Sequence, residues 1–383
     1  MASPYSSFDP IQSISIASSQ KLVALAHRDR ISVVKLTPNE ISDHSRISPN
    51  FKGAFTLTDV LWCPQDDSRL AVSTTSGSLA VVDISYSTGK KFSQSWEADN
   101  TSSRSINKIC WRVKDKHILA SAFQDGQIKI YDSRLKKSNC ILSLASRSDT
   151  VAIRDISFDP FHEQYLSSVS DNGNLLVWDL RSAEAPLSRI ASHSTASQTL
   201  AYSLSQEYRL ATGGRDKTIK VWDLSSIEET AHYIRPTHMI SSSASVAKVR
   251  WRPDFPDQLA CSLVEKSELV VYDINMPNLG VSVLCGHSEA CSDFDWVDTP
   301  LEKSPKDTDG SSPRKSIDLC HMQLYQHILS ADKEGKLLVQ DLRNGFFPRQ
   351  HISGSVAALS NDGMLAFHGG VIDRVSLNLS TTF

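Results

Sequence analysis

The 383 residues are 40% hydrophobic, 22% charged and 8% aromatic, a composition that suits a globular core and excludes a disordered chain. Forty basic against 43 acidic side chains leave a net charge of -3, so no single-sign field favours a nucleic-acid partner, and no unbroken apolar stretch approaches the roughly 18 residues of a membrane span. Seven cysteines, odd in number and never spaced Cys-x-x-Cys, suit free thiols in a reducing compartment and offer no thiolate pair for structural zinc.

The first stretch, Met1 to Gln20, is Ser-rich without the basic-then-apolar order of a signal peptide, which gives a cytosolic expectation. Lys21 to Leu36 (KLVALAHRDRISVVKL) then reads as a degenerate hairpin. Clearer copies follow: Leu70 to Asp83 around Ser76-Gly77, Ile118 to Asp132 around Asp125-Gly126, and Tyr165 to Asp179 around Asp171-Asn172-Gly173. Leu210 to Asp223 and Ile328 to Asp341 complete the series. Asp-Gly and Asn-Gly provide the positive φ of tight hairpins, and apolar residues such as Ile219 and Val221 alternate with Lys220 and Trp222 as in a strand.

Apart from the degenerate first, each hairpin ends on an Asp, and with Tyr272-Asp273 included these residues are 49, 47, 44, 50 and 68 positions apart. The first four intervals approach the roughly 40 to 45 residues of a four-stranded propeller blade and exceed the 33 or 34 of helical repeats. A further short strand precedes each unit: Asp59 to Cys63, Asn107 to Arg112, Arg154 to Asp159, Leu200 to Ser203, Ala247 to Arg252 and Ser292 to Val297. The expectation is an all-β propeller over residues 1–383, with four-stranded antiparallel blades, seven in number. Gly354 to Leu379 is left either to close the ring against the first unit or to begin an eighth blade; both would remove open sheet edges. The long last interval contains residues 299–316 (TPLEKSPKDTDGSSPRKS), too polar to pack and expected to form a flexible surface loop. Within this spacer, Ser304-Pro305 and Ser312-Pro313 have the form of proline-directed phosphorylation sites.

One unit holds a complete set of polar residues: His193 before the hairpin, Thr212 on its first strand, Asp216 in the turn and Trp222 on the return. The set resembles the structural tetrad of WD-repeat propellers, a buried hydrogen-bond chain. Partial copies are Ser121, Asp125 and Tyr131; Ser167, Asp171 and Trp178; and His287 before the last hairpin. His193, Thr212 and Asp216 also have the residue types of a nucleophile, base and orienting acid. The structural reading is preferred, because groups bridging strands inside a blade satisfy one another away from substrate. No phosphate loop, nucleophile elbow or His-Glu-x-x-His pair occurs, so neither catalysis nor a cofactor is expected.

Binding is the alternative, and several arginines suggest it. Arg134, Arg181 and Arg343 each follow a terminal Asp by two residues. Leu175 to Arg181 (LLVWDLR) resembles the motif by which WD-repeat substrate receptors dock onto the cullin-ligase adaptor, where Arg could pair with a carboxylate. Arg215 and Lys217 flank the central turn, and Phe346-Phe347 beside Pro348 could anchor a peptide or pack within a blade.

Ala211 to Asp223 (ATGGRDKTIKVWD), Ala244 to Pro253 (ASVAKVRWRP), Ser146 to Phe158, Asp171 to Arg181 and Gly354 to Gly369 occur in an order that resembles the WD-repeat subunits of the GATOR complex. The resemblance implies a scaffold contacting other GATOR subunits, recruited to the lysosomal or vacuolar surface without inserting into the membrane. It would favour TOR activity by restraining the arm that inactivates Rag GTPases. In that family helical repeats and a zinc-binding RING-type module follow the propeller; this sequence stops at Phe383 without the cysteine pairs such a module needs.

Overall fold

A computed structural model describes residues 5–7, 9–37, 40–51, 54–84, 93–98, 104–135, 140–145, 151–227, 234–277, 280–297, 327–342, 356–359 and 365–368. The chain divides into two compact units, Met1–Phe346 and Phe347–Phe383. Every described element is a β-strand except for turns and a single 3-10 residue.

The first unit is a ring of seven four-stranded antiparallel sheets. From the axis outward, blade 1 is Ser13–Ile16, Leu22–Ala26, Ile31–Leu36 and Ile41–Ile47, and blade 2 is Leu57–Cys63, Asp66–Thr74, Leu79–Asp83 and Ser93–Glu97. Blade 3 is Ile106–Arg112, Asp115–Phe123, Gln127–Asp132 and Leu142–Ala145, and blade 4 is Ile153–Phe158, Tyr165–Ser170, Asn174–Asp179 and Ser188–Ala191. Blade 5 is Ser197–Tyr202, Arg209–Gly214, Thr218–Asp223 and His238–Ser241, and blade 6 is Val246–Trp251, Gln258–Leu263, Leu269–Asp273 and Gly280–Leu284. Blade 7 is Cys291–Val297, His327–Asp332 and Lys336–Asp341. The seven-blade expectation therefore holds.

Ring closure follows a route the sequence did not suggest. Tyr5–Ser6 is the outer strand of blade 7, pairing Tyr5 with Leu337 and Ser6 with Lys336. The segment that could have closed the ring instead contains a two-stranded sheet, Val356–Leu359 with Leu365–His368, in the second unit. An outer strand taken from the N-terminus joins the two ends of the ring and leaves blade 7 no shorter in strand count than the others.

Between each adjacent pair of blades lies one apolar cluster, seven in all. Leu210 and Trp222 of blade 5 pack towards blade 4, whereas Ala211, Ile219 and Val221 pack towards blade 6. Both faces of a middle strand are thus covered, which is why all six residues of Tyr165–Ser170 are buried. Burial at roughly 25 cal/mol per Å² of apolar surface makes these interfaces the main stabilising term of the ring.

Candidate functional site

The blade 5 tetrad is complete. Trp222 Nε1 donates to Thr212 Oγ1 at 2.9 Å, and Thr212 Oγ1 lies 2.9 Å from His193 Nε2. His193 Nδ1 lies 2.9 and 3.1 Å from the two Asp216 oxygens. A chain in which each group donates to the next requires the proton on Nδ1, with Thr212 donating to Nε2. Burial lowers the His193 pKa against the pull of Asp216; burial pushes the Asp216 carboxyl up, but the Thr218 hydroxyl and His193 outweigh it and hold the group below the usual carboxylate range. The adjacent glycine is a steric requirement: a Cβ on Gly214 would lie 2.4 Å from His193 Nδ1. Thr212 is fully buried, so its hydroxyl serves the network.

The other copies are partial. In blade 7, His287 bonds Asp332 at 3.0 Å and Ser330 at 2.7 Å, with Gln340 opposite Ile328 where Trp222 stands opposite Leu210. In blade 4, Trp178 donates to Ser168 at 3.0 Å, not to Ser167, whose hydroxyl bonds Tyr202 at 2.6 Å. Asp171 there pairs with Arg154 at 2.5 Å.

The singled-out arginines and lysine occupy opposite ends of the blades. Arg215 and Lys217 sit on the turn that enters a third strand, on the rim called upper here, and both are exposed. Lys217 has φ 63, the left-handed conformation that Gly77, Gly126, Gly173 and Gly335 adopt in the corresponding turns. Arg134 and Arg181 follow the ends of third strands, on the lower rim. Each folds back on its own strand-end carboxylate, at 2.6 Å from Asp132 and 2.6 Å from Asp179. Arg343, Ser304, Ser312, the whole of 299–316, and Phe346-Phe347 lie outside the described residues.

The sequence reading missed the groups around the axis. Ser13, Asp59, Lys108, Asp155, Thr199, Lys248 and Asp293 hold the same place on the seven inner strands, spaced 46, 49, 47, 44, 49 and 45 apart. In blades 2 to 7 a β-bulge immediately precedes this residue. The bulge re-aims the side chain onto the neighbouring blade. Asp59 accepts from Ser13 Oγ at 2.7 Å, and Lys108 Nζ lies 2.9 Å away. Asp293 accepts from Ile14 N at 3.0 Å and lies 3.0 Å from Ser13 Oγ, whose single proton it shares with Asp59, with Lys248 Nζ at 2.7 Å and Arg250 at 3.7 Å. Burial pushes the Asp293 carboxyl up, but Lys248, Arg250 and Lys108 outweigh it and hold the group well below its ordinary range. A signal existed: in blades 2 to 7 an aromatic residue stands three positions later, from Trp62 to Trp296.

Among the described residues, no three His, Cys, Asp or Glu side chains converge as a metal site, and no helix is long and apolar enough to cross a membrane.

The family described as "Nucleolar protein 10-like, N-terminal domain", a β-propeller, matches residues 58–282. Among curated proteins, the human "GATOR2 complex protein WDR24" is 27% identical over 290 residues, covering 75% of this chain and 35% of the relative. The Drosophila melanogaster protein of that name is 28% identical over 280 residues, 72% of this chain and 34% of the relative. The Dictyostelium discoideum one is 24% identical over 385 residues, 98% of this chain and 34% of the relative. The chain thus spans about a third of the length of these relatives. With seven four-stranded blades, a complete tetrad and a family match across more than half its length, the chain belongs to the WD-repeat β-propellers of the "Nucleolar protein 10-like, N-terminal domain" family.

Proposed function

We infer that this chain is a non-catalytic protein-interaction scaffold, the propeller part of a subunit in a GATOR-type complex that positively regulates TOR complex one in response to amino acids. The observation that carries this reading is the ordered similarity, through the propeller, to proteins named as GATOR2 complex subunits. On this reading the protein works at the lysosomal or vacuolar membrane surface, held there by partner subunits. Rigid blades present two rims, each able to offer a patch of roughly 800 Å² to a partner. Arg215 and Lys217 would contact one partner on the upper rim, and Arg134 and Arg181 another on the lower.

Affinity purification of the tagged protein from its native cells, read by mass spectrometry, tests the assignment. GATOR subunits should be enriched, and reversing charge at Arg215 and Lys217 or at Arg134 and Arg181 should remove different subsets. Recovery of a cullin adaptor without GATOR subunits would refute it.

A further inference from the structure

Exposed apolar side chains concentrate at one place on the ring. Among the described residues seven large hydrophobic side chains are exposed, and three of them, Val113, Leu135 and Ile141, lie at the lower end of blade 3, at 39%, 45% and 48% exposure. The other four are scattered over blades 5 and 6. Val113 is in the turn between the first and second strands, whereas Leu135 and Ile141 belong to the connection between the third and fourth. Arg134, 4.0 Å from Asp115, ties the two connections together. Blade 4 lacks this patch: Ser182 stands where blade 3 has Leu135, and Leu187, where it has Ile141, packs against the cluster between blades 4 and 5.

The charges beside the patch are unevenly paired. Arg134 is clamped on Asp132 at 2.6 Å, and Lys116 lies 3.7 Å from Asp66. The exposed Lys114 ammonium bonds only the Phe161 carbonyl, at 3.2 Å. The Arg112 guanidinium has no hydrogen bond or ion pair among the described residues; its Nε is buried without a partner, and the group rests against the Phe158 ring at 5.3 Å. These two cations flank Val113 in sequence, and neither has a carboxylate. Apolar surface beside such cations is complementary to a segment that offers apolar side chains and a carboxylate together. A bilayer fits less well, because Asp66, Asp115 and Asp132 lie among the same cations and leave little of the net positive field that anionic lipid needs.

We propose that the lower end of blade 3 is a docking surface for an acidic, apolar segment of a partner protein. Its carboxylate pairs with Arg112 and Lys114, and its apolar side chains cover Val113, Leu135 and Ile141. The surface goes beyond the assembly role inferred above and stands without it.

Photo-crosslinking in the native cells provides the test. The full chain with p-benzoylphenylalanine in place of Leu135, and separately of Ile141, is irradiated, and the attached peptide is sequenced by mass spectrometry. Both positions should attach to one segment that has Asp or Glu among apolar residues. A synthetic copy of that segment should bind the purified wild-type chain, and should bind Arg112→Gln and Lys114→Glu about tenfold more weakly or worse. Lys114→Glu changes an exposed side chain and decides the matter should Arg112→Gln unfold. No adduct, an adduct to lipid or to a segment without carboxylates, or equal binding by a folded variant overturns the proposal. The adduct is read apart from the subunits that affinity purification recovers, so this surface and the assembly role fail separately.

Discussion

Replacing Thr212 by Val measures what the buried tetrad contributes. Valine matches threonine in shape, so the substitution at this fully buried site opens no cavity and deletes only the hydroxyl. Two groups then lose their partner: Trp222 Nε1, which donates at 2.9 Å, and His193 Nε2, which accepts at 2.9 Å. Each orphaned buried group costs about 1–3 kcal/mol, which gives a loss of about 2–6 kcal/mol for the two. Ser330→Ala in blade 7 is the internal control, because Ser330 bonds His287 at 2.7 Å and Gln340 stands where the tryptophan would be. It orphans one group and should cost about 1–3 kcal/mol. Urea unfolding followed by tryptophan fluorescence reads both. Should Thr212→Val cost no more than Ser330→Ala, the two-sided hydroxyl bridge contributes nothing and the argument fails.

Asp293→Asn should cost about 3–5 kcal/mol in the same assay, because it strands Lys248 at a buried site and leaves Arg250 only Asp295; Asp155→Asn, with no close ion pair to break, should cost less. Lys217→Gly should raise stability by up to about 1 kcal/mol by relieving the left-handed backbone at φ 63, and an unchanged or lowered urea midpoint would show that the turn is unstrained. Burial lowers the pKa of His27, His193 and His287, so below about pH 6.5 the unfolded chain binds protons that the fold refuses. Their contribution is full above that pH and should be lost as pH falls towards the folded values, by about 1.4 kcal/mol per pH unit for each proton. Urea midpoints that stay flat from about pH 7 to pH 5 would contradict this.

The hairpins were legible because a hairpin is local: its turn residues, its strand lengths and its closing Asp lie within about 15 residues. Blade 5 could be read to the level of individual hydrogen bonds, since His193, Thr212, Asp216 and Trp222 each occur at a distinctive place. Blade 4 shows the limit. Every residue of Tyr165–Ser170 is buried, so alternation cannot say which serine faces Trp178, and the cross-strand register selects Ser168. Closure by Tyr5–Ser6 was invisible for another reason: two residues carry no periodicity, and their partners lie at the far end of the chain. Arg134 and Arg181 were read as docking groups from the Asp-x-Arg spacing. That same spacing lets each fold back on its own aspartate, so a partner carboxylate has to compete with an existing pair. The axial residues escaped notice because their position repeats while their chemistry does not, running Ser, Asp, Lys, Asp, Thr, Lys, Asp from blade 1 to blade 7.

That variation has a structural consequence. The tetrad residues join strands within one blade or to the connection just before it, but the axial residues join one blade to the next. Apolar clusters between blades are non-directional and would tolerate small slips of one sheet against another. A carboxylate that accepts from Ile14 N at 3.0 Å and Lys248 Nζ at 2.7 Å tolerates none. The Ile14 bond crosses from blade 7 to blade 1, the one interface whose halves are far apart in sequence, while Lys248 ties the same carboxylate to blade 6. A directional buried network at that seam fixes which residues of the first and last blades face each other, the use of buried charge with the best physical support. Asp155 does the same between blades 4 and 5, accepting from Thr199 Oγ1 and Leu200 N at 3.0 Å, so the axial network fixes register at a local interface as well as at the seam.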